Sequence, residues 1–357
     1  MEDRFRQTFE LWGYKEVRTS TIEYFDIIRG GAGEPFADSI FKFQDFDGKL
    51  LSLRGEVTTQ IARMLASRAC SGGRFFYIEN CIRFLSTRAL PQREFWQAGA
   101  ELVGEGGVEA DGEVIALALE CLERAGLAGA KVDLGSIPVF RKTVEQFKIT
   151  NYEGLRRAVS TKSIGDLRGI ATEERAIEVF AYMMEERGGP DLLARMTEMG
   201  VRGLEEDMRY FEELFDVLKS YGYASNVRID LSTLREMKYY NGIVFEIFLE
   251  GIGLPIGGGG RYDAMMKEFG LDVSAAGFAV SVDLLVKAAE GISYGRSPPL
   301  QIYYAEGYRE RAIGLARRLR GKGMSCTVSR YRGEREGILV DRTIIDLRSG
   351  KVLEGQL

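Results

Sequence analysis

The stretch that decides the fold is Arg235-Glu236-Met237-Lys238-Tyr239-Tyr240-Asn241-Gly242-Ile243-Val244-Phe245-Glu246, which is followed by Gly257-Gly258-Gly259-Gly260-Arg261-Tyr262-Asp263. The paired tyrosines open a predicted strand, and the glycine run by itself is typical of a turn with a bulge. Because glycine has no Cβ, such a loop also lets a small polar ligand approach the main chain closely. Arg235 offers a planar cation for a carboxylate or phosphate.

Local patterns elsewhere predict several helices and one hairpin. Phe5, Phe9 and Trp12 fall at helical spacing and predict an amphipathic first helix that ends near Gly13. Two apolar runs flank Asp47-Gly48, which is a strong hairpin signal. A helix is predicted over residues 58–67, with Thr58 as its cap.

Composition excludes several functions. The 357 residues include no histidine, which excludes imidazole acid–base catalysis and most transition-metal sites. This absence fits either a bias of the lineage or a protein that is needed when histidine is scarce. The net charge of −5 indicates no polyanionic partner. Apolar runs are too short for a membrane span and no leader is evident, so a cytoplasmic location is expected. The four cysteines contain no C-x-x-C pair and are predicted to be buried free thiols: Cys70, Cys81, Cys121 and Cys326.

Further segments identify the relatives of this sequence. Together with residues 235–263, four of them occur here in the order in which the relatives have them. These four are Gly13-Tyr14-Lys15-Glu16-Val17-Arg18-Thr19, Leu53-Arg54-Gly55-Glu56-Val57-Thr58-Thr59-Gln60-Ile61-Ala62-Arg63, Arg93-Glu94-Phe95-Trp96-Gln97-Ala98-Gly99-Ala100-Glu101 and Gly277-Phe278-Ala279-Val280. Together they resemble the histidyl-tRNA synthetases and their non-catalytic relatives. The resemblance covers roughly residues 1–291.

The resemblance implies an α+β fold with the core of the class II aminoacyl-tRNA synthetases. This core is a mixed, mostly antiparallel sheet flanked by helices, and it is dimeric in the family. We expect it to occupy residues 1–297, with a helical insertion over residues 136–203 where short helical segments replace sheet-like sequence. Pro298-Pro299 marks the predicted boundary. Residues 298–357 are then a truncated C-terminal α/β unit, predicted as one strand–helix–strand.

The resemblance also implies a histidine pocket. An ammonium and an imidazole both require acceptors, which two carboxylates supply. The family's histidine-binding positions correspond to a set of seven side chains here: Glu56, Thr58, Gln97, Glu101, Arg235, Tyr239 and Tyr240. A glycine loop completes the expected site with Gly257, Gly258, Gly259 and Gly260. These residues stay open to a second interpretation, in which they are relics kept for packing.

Departures from the family pattern fall on the ATP side of the pocket. Arg83 keeps the cation that faces the α-phosphate and is predicted to be a relic phosphate-binding residue. The glutamate two positions later is replaced by Leu85, the arginine that clamps the distal phosphates by Leu284, and the proline of the first motif by Ser20. Each lost charge removes several kcal/mol of transition-state stabilisation by analogy with other electrostatic catalysts. We therefore expect no catalytic residues, no cofactor and no metal site.

The sequence keeps the amino-acid pocket, lacks charged residues that the family uses on the ATP side, and has a short C-terminal unit. In these three respects it resembles the regulatory subunits of ATP phosphoribosyltransferase. This resemblance implies a non-catalytic partner of the short catalytic subunit in the first step of histidine biosynthesis. It also implies a homodimer with histidine as its candidate ligand, bound in this pocket or at a subunit interface, and no tRNA.

Two other functions stay open: a divergent histidyl-tRNA synthetase, and a histidine sensor with an unrelated partner. The basic helix over residues 309–322 is predicted to be a solvated face, with contact to RNA or to an acidic protein as the alternative.

Overall fold

The computed structural model describes residues 1–84, 93–235, 237–289, 299–304 and 307–330, together with three short strands between 338 and 354. The chain forms two compact units, Met1–Ile292 and Ser293–Leu357. Pro298, where the sequence predicted the boundary, lies outside the described residues, as does Leu85. No helix in these ranges is long and apolar enough to cross a bilayer.

The first unit is built on an eight-stranded sheet with the order β1-β5-β6-β11-β10-β9-β7-β8. The five central pairings are antiparallel, and the two edge pairings, β1 with β5 and β7 with β8, are parallel. The predicted α+β class with a mixed, mostly antiparallel sheet is therefore confirmed. The strands of this sheet are β1 (Lys15–Glu16), β5 (Gly73–Ile82), β6 (Glu94–Val103), β7 (Lys131–Ser136), β8 (Val227–Ile229), β9 (Ile243–Phe248), β10 (Gly257–Arg261) and β11 (Ala275–Ser281).

Helices cover this sheet and fill the core. The longest is α5, whose apolar side chains are buried on almost all sides because it packs against β6, β11 and two other helices, α1 and α11. The helices of the first unit are α1 (Glu2–Leu11), α2 (Phe25–Ala32), α3 (Glu34–Ala37), α4 (Thr58–Ser67), α5 (Gly107–Arg124), α6 (Ile137–Gln146), α7 (Tyr152–Ser160), α8 (Ile164–Ile170), α9 (Glu174–Glu185), α10 (Asp191–Glu198), α11 (Glu205–Ser220), α12 (Asp263–Glu268) and α13 (Val282–Ala288).

A small antiparallel sheet lies beside the main one. Its strands are β2 (Ile22–Tyr24), β3 (Lys42–Gln44) and β4 (Leu50–Leu53), in the order β2-β4-β3. Strands β3 and β4 form the hairpin predicted at Asp47-Gly48, so that prediction is confirmed. The left-handed φ of Gly48, +82°, explains why the turn requires glycine.

Five helices, α6 to α10, follow one another between Ile137 and Glu198, inside the segment predicted to be a helical insertion. Ser136 ends β7, and its hydroxyl accepts a hydrogen bond from the Val139 N–H at the start of α6. Aromatic contacts between Phe140 and Phe180, with ring centroids 6.0 Å apart, join two of the helices into one small core.

The structure corrects two predictions for residues 235–263. The glycine run is not a loop: Gly257 to Gly260 form most of β10, which pairs with β9 and β11. The paired tyrosines do not open a strand, because β9 begins only at Ile243. Glycine persists in this central strand because neighbouring main chain leaves no room for a Cβ, which at Gly259 would lie 2.0 Å from the Gly277 carbonyl oxygen.

The second unit contains more than the predicted strand–helix–strand. The predicted elements are present as β12 (Leu300–Tyr304), α14 (Arg309–Gly321) and β13 (Cys326–Arg330). Three further strands were missed, and they extend the sheet to the order β13-β12-β14-β15-β16: β14 (Ile338–Val340), β15 (Thr343–Ile345) and β16 (Val352–Glu354). The six cations of the basic helix segment are exposed, as predicted for a solvated face: Arg309, Arg311, Arg317, Arg318, Arg320 and Lys322.

Candidate functional site

One cavity of about 290 Å³ on a face of the main sheet collects the predicted ligand-binding residues. All seven side chains line it, together with Arg83: Glu56, Thr58, Gln97, Glu101, Arg235, Tyr239 and Tyr240. Two of the four glycines, Gly257 and Gly258, also line the cavity, whereas Gly259 and Gly260 are not among its lining residues. This volume lies at the lower end of the range for small-molecule pockets.

The floor of the cavity follows from strand alternation. Side chains two residues apart point to one face of a strand, so Gln97 and Glu101 of β6 reach the same side. Small residues occupy the floor beside them because the cross-strand partners of Gln97 and Glu101 on β11 are Ser281 and Gly277. A Cβ at Gly277 would lie 1.8 Å from Glu101 Oε2, so this glycine makes room for the carboxylate.

Glu101 is the most enclosed carboxyl group of the cavity, with 1% of its surface exposed. The Thr58 hydroxyl donates to its Oε1 at 2.7 Å, and the Tyr262 hydroxyl donates to its Oε2 at 2.5 Å. Burial disfavours the ionised form more than these two hydrogen bonds favour it, which raises the pKa of Glu101 to about 8. The group therefore exchanges a proton near neutral pH.

Glu56 lies at the start of α4 and is also buried. Its carboxylate accepts hydrogen bonds from the Thr59 N–H, at 3.2 and 3.1 Å to the two oxygens. Glu56 therefore makes the capping contact that was assigned to Thr58, so that assignment was wrong: the predicted helix does begin at Thr58, but the Thr58 hydroxyl bonds to Glu101 instead. Burial raises the pKa of Glu56, and the Thr59 contacts oppose this change.

Two arginines face the same cavity. Arg83 donates to the Gly55 carbonyl at 2.9 Å, and its guanidinium lies 5.1 Å from the centres of both the Phe36 and the Phe95 rings. Arg235 donates to the Phe245 carbonyl at 3.4 Å. Burial lowers the pKa of Arg83, and the positive charge of Arg235 lowers it further. A bound carboxylate relieves this repulsion between like charges.

Gln97 and the tyrosines complete the polar lining. The Cys81 thiol donates to Gln97 Oε1 at 3.2 Å, which leaves the amide NH₂ group as a donor for a ligand. The Tyr239 and Tyr240 rings are 4.6 Å apart, and Tyr262 packs edge-on against Tyr239 at 5.8 Å. Burial raises the pKa of all three phenols, so they stay neutral donors. Three cysteines are buried as predicted, and Cys70 is half-buried.

Sequence reasoning missed four polar residues of the cavity: Tyr77, Glu246, Tyr262 and Ser281. Tyr262, buried against Glu101, lies in the quoted motif, but nothing local shows that its ring turns inward. Glu246 lines the cavity from β9, opposite Gly258, and burial raises its pKa. Strand alternation starting from the apolar Val244 and Phe248 would have placed Glu246 on the same face as these two residues.

Part of the cavity lining is apolar. Leu284, which the sequence predicts to replace the family's clamping arginine, is 5% exposed and lines the cavity, as do Phe95, Leu254 and Ile256. The neighbouring Asp283 accepts a hydrogen bond from the Trp96 N–H at 2.7 Å and so joins α13 to β6. In the described ranges, no group of three or more acidic or cysteine side chains is placed to hold a metal ion.

Comparisons with known proteins identify the family of this chain. The family described as "Histidyl-tRNA synthetase" matches residues 1–285. An ATP phosphoribosyltransferase regulatory subunit from Caldanaerobacter subterraneus subsp. tengcongensis is 32% identical over 336 residues, which cover 90% of this chain and 87% of that protein. The protein of the same name from Symbiobacterium thermophilum is 34% identical over 339 residues, 91% of this chain and 85% of the relative.

Solved structures lead to the same family. The crystal structure of an "ATP phosphoribosyltransferase regulatory subunit/histidyl-tRNA synthetase" from Bacillus halodurans C superposes with a TM-score of 0.79 at 29% identity, covering 94% of this chain and 88% of that one. Histidyl-tRNA synthetase from Nostoc sp. PCC 7120 has a TM-score of 0.75 at 16% identity, covering 94% and 82%, and shows the shared fold. The chain therefore belongs to the family of ATP phosphoribosyltransferase regulatory subunits, built on the histidyl-tRNA synthetase domain.

Proposed function

We propose that this chain is a non-catalytic regulatory subunit of ATP phosphoribosyltransferase. It binds the short catalytic subunit, supports its activity in the first step of histidine biosynthesis, and couples the histidine level to that activity. Relatives with this name, each matching about nine tenths of the chain, support the assignment. We further propose that the chain acts as a homodimer in the cytoplasm and does not bind tRNA.

The single observation that carries the proposal is that one part of the cavity lining is polar and another part is apolar. Its polar part presents acceptors for two cationic or N–H groups, Glu56 and Glu101, and a cation for a carboxylate, Arg235. Histidine offers these three groups at once: an ammonium, an imidazole and a carboxylate. Glu101, which accepts a hydrogen bond from Tyr262 and lines the cavity together with Tyr239 and Tyr240, is best placed for the imidazole, because a flat ring packs well among aromatic side chains.

The apolar part of the cavity argues against adenylate formation. Attack on ATP develops charge on the triphosphate, which a ligase must stabilise with fixed cations. Leu284 contributes no charge at the position of the distal clamp, and Arg83 alone remains on the α-phosphate side. A cavity of about 290 Å³ also has little room for a nucleotide beside an amino acid.

Isothermal titration of the purified chain with histidine, and separately with ATP and Mg²⁺, tests the ligand. We expect histidine to bind and ATP not to bind. Glu101→Gln keeps the shape of the side chain but removes the carboxyl group that can exchange a proton with the imidazole, and it should abolish most of the histidine signal. Gly169→Ala serves as the matched control, because Gly169 is exposed on α8 and a Cβ there meets no heavy atom within 4 Å. Silence to histidine at millimolar concentration would reject the pocket as a histidine site.

Reconstitution with a short catalytic subunit tests the partner. We expect the chain to raise the rate of phosphoribosyl-ATP formation in a saturable way and histidine to lower it. If Glu101→Gln still activates but no longer responds to histidine, the response arises in this cavity; an unchanged response would place histidine at a subunit interface. Histidine-dependent pyrophosphate exchange by the chain alone would instead establish the alternative, a divergent histidyl-tRNA synthetase.

A further inference from the structure

Two hydroxyl groups and a glycine fix the position of the Glu101 carboxyl group. The Tyr262 and Thr58 hydroxyls each donate to one of its oxygens, and the absent side chain of Gly277 leaves the space in which Oε2 lies. The charge that acts most directly on Glu101 is another carboxylate, Glu56, and not a cation. Its hydroxyl donors are therefore what stabilises its ionised form.

Most of the elements packed around Glu101 contribute a titratable or charged group, whereas β11, which pairs with β6 at this residue, contributes none. The facing groups are Glu56 before α4, Tyr77 on β5, Arg83 after β5, Arg235, Tyr239 and Tyr240 before β9, Glu246 on β9 and Tyr262 after β10. Burial raises the pKa of each of these phenols above its usual value, so none of them ionises near neutral pH. The Tyr262 hydroxyl thus remains a hydrogen-bond donor to Glu101 over the whole pH range in which the carboxyl group titrates.

We propose that Tyr262 is a positioning residue, which holds Glu101 so that this carboxyl group and the imidazole of a bound histidine share one proton, and which thereby sets the pH range for binding. The inference rests on the proposed histidine pocket. It assigns a role to a residue outside the seven predicted ligand-binding side chains.

Proton balance defines the expected pH profile. Free imidazole has a pKa of about 6.5, and the pKa of Glu101 in the empty cavity is about 8. Between these values, neutral histidine meets a protonated Glu101, and the pair already holds its one proton. At lower pH the imidazolium brings a second proton that must leave, and at higher pH the pair must take up a proton from water. The affinity for histidine is therefore highest between these two pKa values and falls at both lower and higher pH.

Tyr262→Phe removes the hydroxyl and keeps the ring. Because the lost hydrogen bond favours the ionised carboxyl group, the pKa of Glu101 rises, and the alkaline limb of the binding profile should move up by about one pH unit. The acid limb belongs to the ligand and should stay in place. Deprotonation of the ligand's ammonium also weakens binding at high pH, but that effect is the same in both proteins and cancels in the comparison.

The measurement is histidine affinity by calorimetry from about pH 5.5 to about pH 10, an interval that brackets both groups. Tyr14→Phe is the matched control, because Tyr14 is a buried tyrosine that donates to a different carboxylate, Glu113 Oε1, at 2.9 Å. Its profile should coincide with that of the wild type. A Tyr262→Phe profile that coincides with the wild type would overturn the proposal.

Carbon-13 NMR of glutamate carboxyl groups in the ligand-free protein separates this inference from the proposed function. Glu101→Gln assigns the Glu101 signal, and its titration midpoint should rise in Tyr262→Phe. Thr58→Val, which removes the donor to the other oxygen, should also raise it and replaces Tyr262→Phe if that variant does not fold. An unmoved midpoint refutes the positioning role; a moved midpoint in a protein that ignores histidine supports the role and rejects the histidine pocket.

Discussion

Gly277→Ala tests whether the cavity floor is shaped for the Glu101 carboxylate. The added Cβ would lie 1.8 Å from Glu101 Oε2 and 2.6 Å from the Ala100 carbonyl oxygen. Real Cβ atoms do not approach other heavy atoms so closely, and the paired backbone of β6 and β11 leaves little freedom to retreat. The carboxylate must therefore swing away from the floor, which breaks its hydrogen bonds with Thr58 and Tyr262.

The size of the effect follows from the contacts that are lost. A hydrogen bond to a charged group contributes about 1.5–3 kcal/mol, and every 1.4 kcal/mol is about tenfold in affinity. Displacing Glu101 from the ligand should therefore weaken histidine binding roughly 10- to 150-fold. Overpacking in a well-filled region costs about 1–3 kcal/mol of folding stability in addition.

Calorimetric titration with histidine measures the first quantity, and urea denaturation measures the second. Gly169→Ala on α8 is again the control: it should leave the affinity unchanged and, because alanine favours a helix more than glycine does, raise the stability by at most about 1 kcal/mol. If Gly277→Ala folds with the stated loss of stability but binds histidine as tightly as the wild type, Glu101 does not contact the ligand. The assignment of this cavity would then have to be withdrawn.

Three further substitutions probe stability. Arg54→Met should cost about 3–5 kcal/mol in urea denaturation, because Arg54 is 1% exposed and its guanidinium pairs at 2.9 Å with the largely buried Glu79, which would lose its counter-charge; a loss below about 1 kcal/mol would contradict this. Asp111→Asn should cost a similar amount, since the carboxylate is fully buried and pairs with Arg261 at 2.8 Å; an unchanged melting temperature would contradict it. The raised pKa of Glu101 means that the folded state holds a proton between about pH 4.5 and about pH 8 that the unfolded state releases, so wild-type stability falls as pH rises through this window. Glu101→Gln should remove about 3–5 kcal/mol of that fall, and parallel stability–pH curves for the two proteins would refute it.

Local sequence signals predicted the elements whose stabilising contacts are also local. The hairpin at Asp47-Gly48 depends on a turn whose φ only glycine adopts easily, and the helix that begins at Thr58 has apolar residues at helical spacing. The site was found because ordered segments resembled one family, which places residues distant in sequence in one cavity. Spacing alone would not have joined Glu56 to Tyr240.

The missed features depend on neighbours that are remote in the chain. Glycine is depleted in strands, so the run from Gly257 indicated a turn; only the close approach of β9 and β11 explains why it is a strand. Tyr262 required the register of that strand, because a shift of one residue would turn it to the other face, whereas alternation along β9 was enough to place Glu246.

Leu284 and Asp283 determine what a single substitution at position 284 would do to folding stability and to nucleotide binding. The substitution Leu284→Arg would place a guanidinium where a buried apolar side chain now lies, while the adjacent Asp283 carboxylate already accepts a hydrogen bond from the Trp96 N–H. This variant would thus lose folding stability before it gained any hold on a nucleotide. A cation at position 284 would therefore require at least one compensating substitution in its surroundings before the fold could hold it without loss of stability.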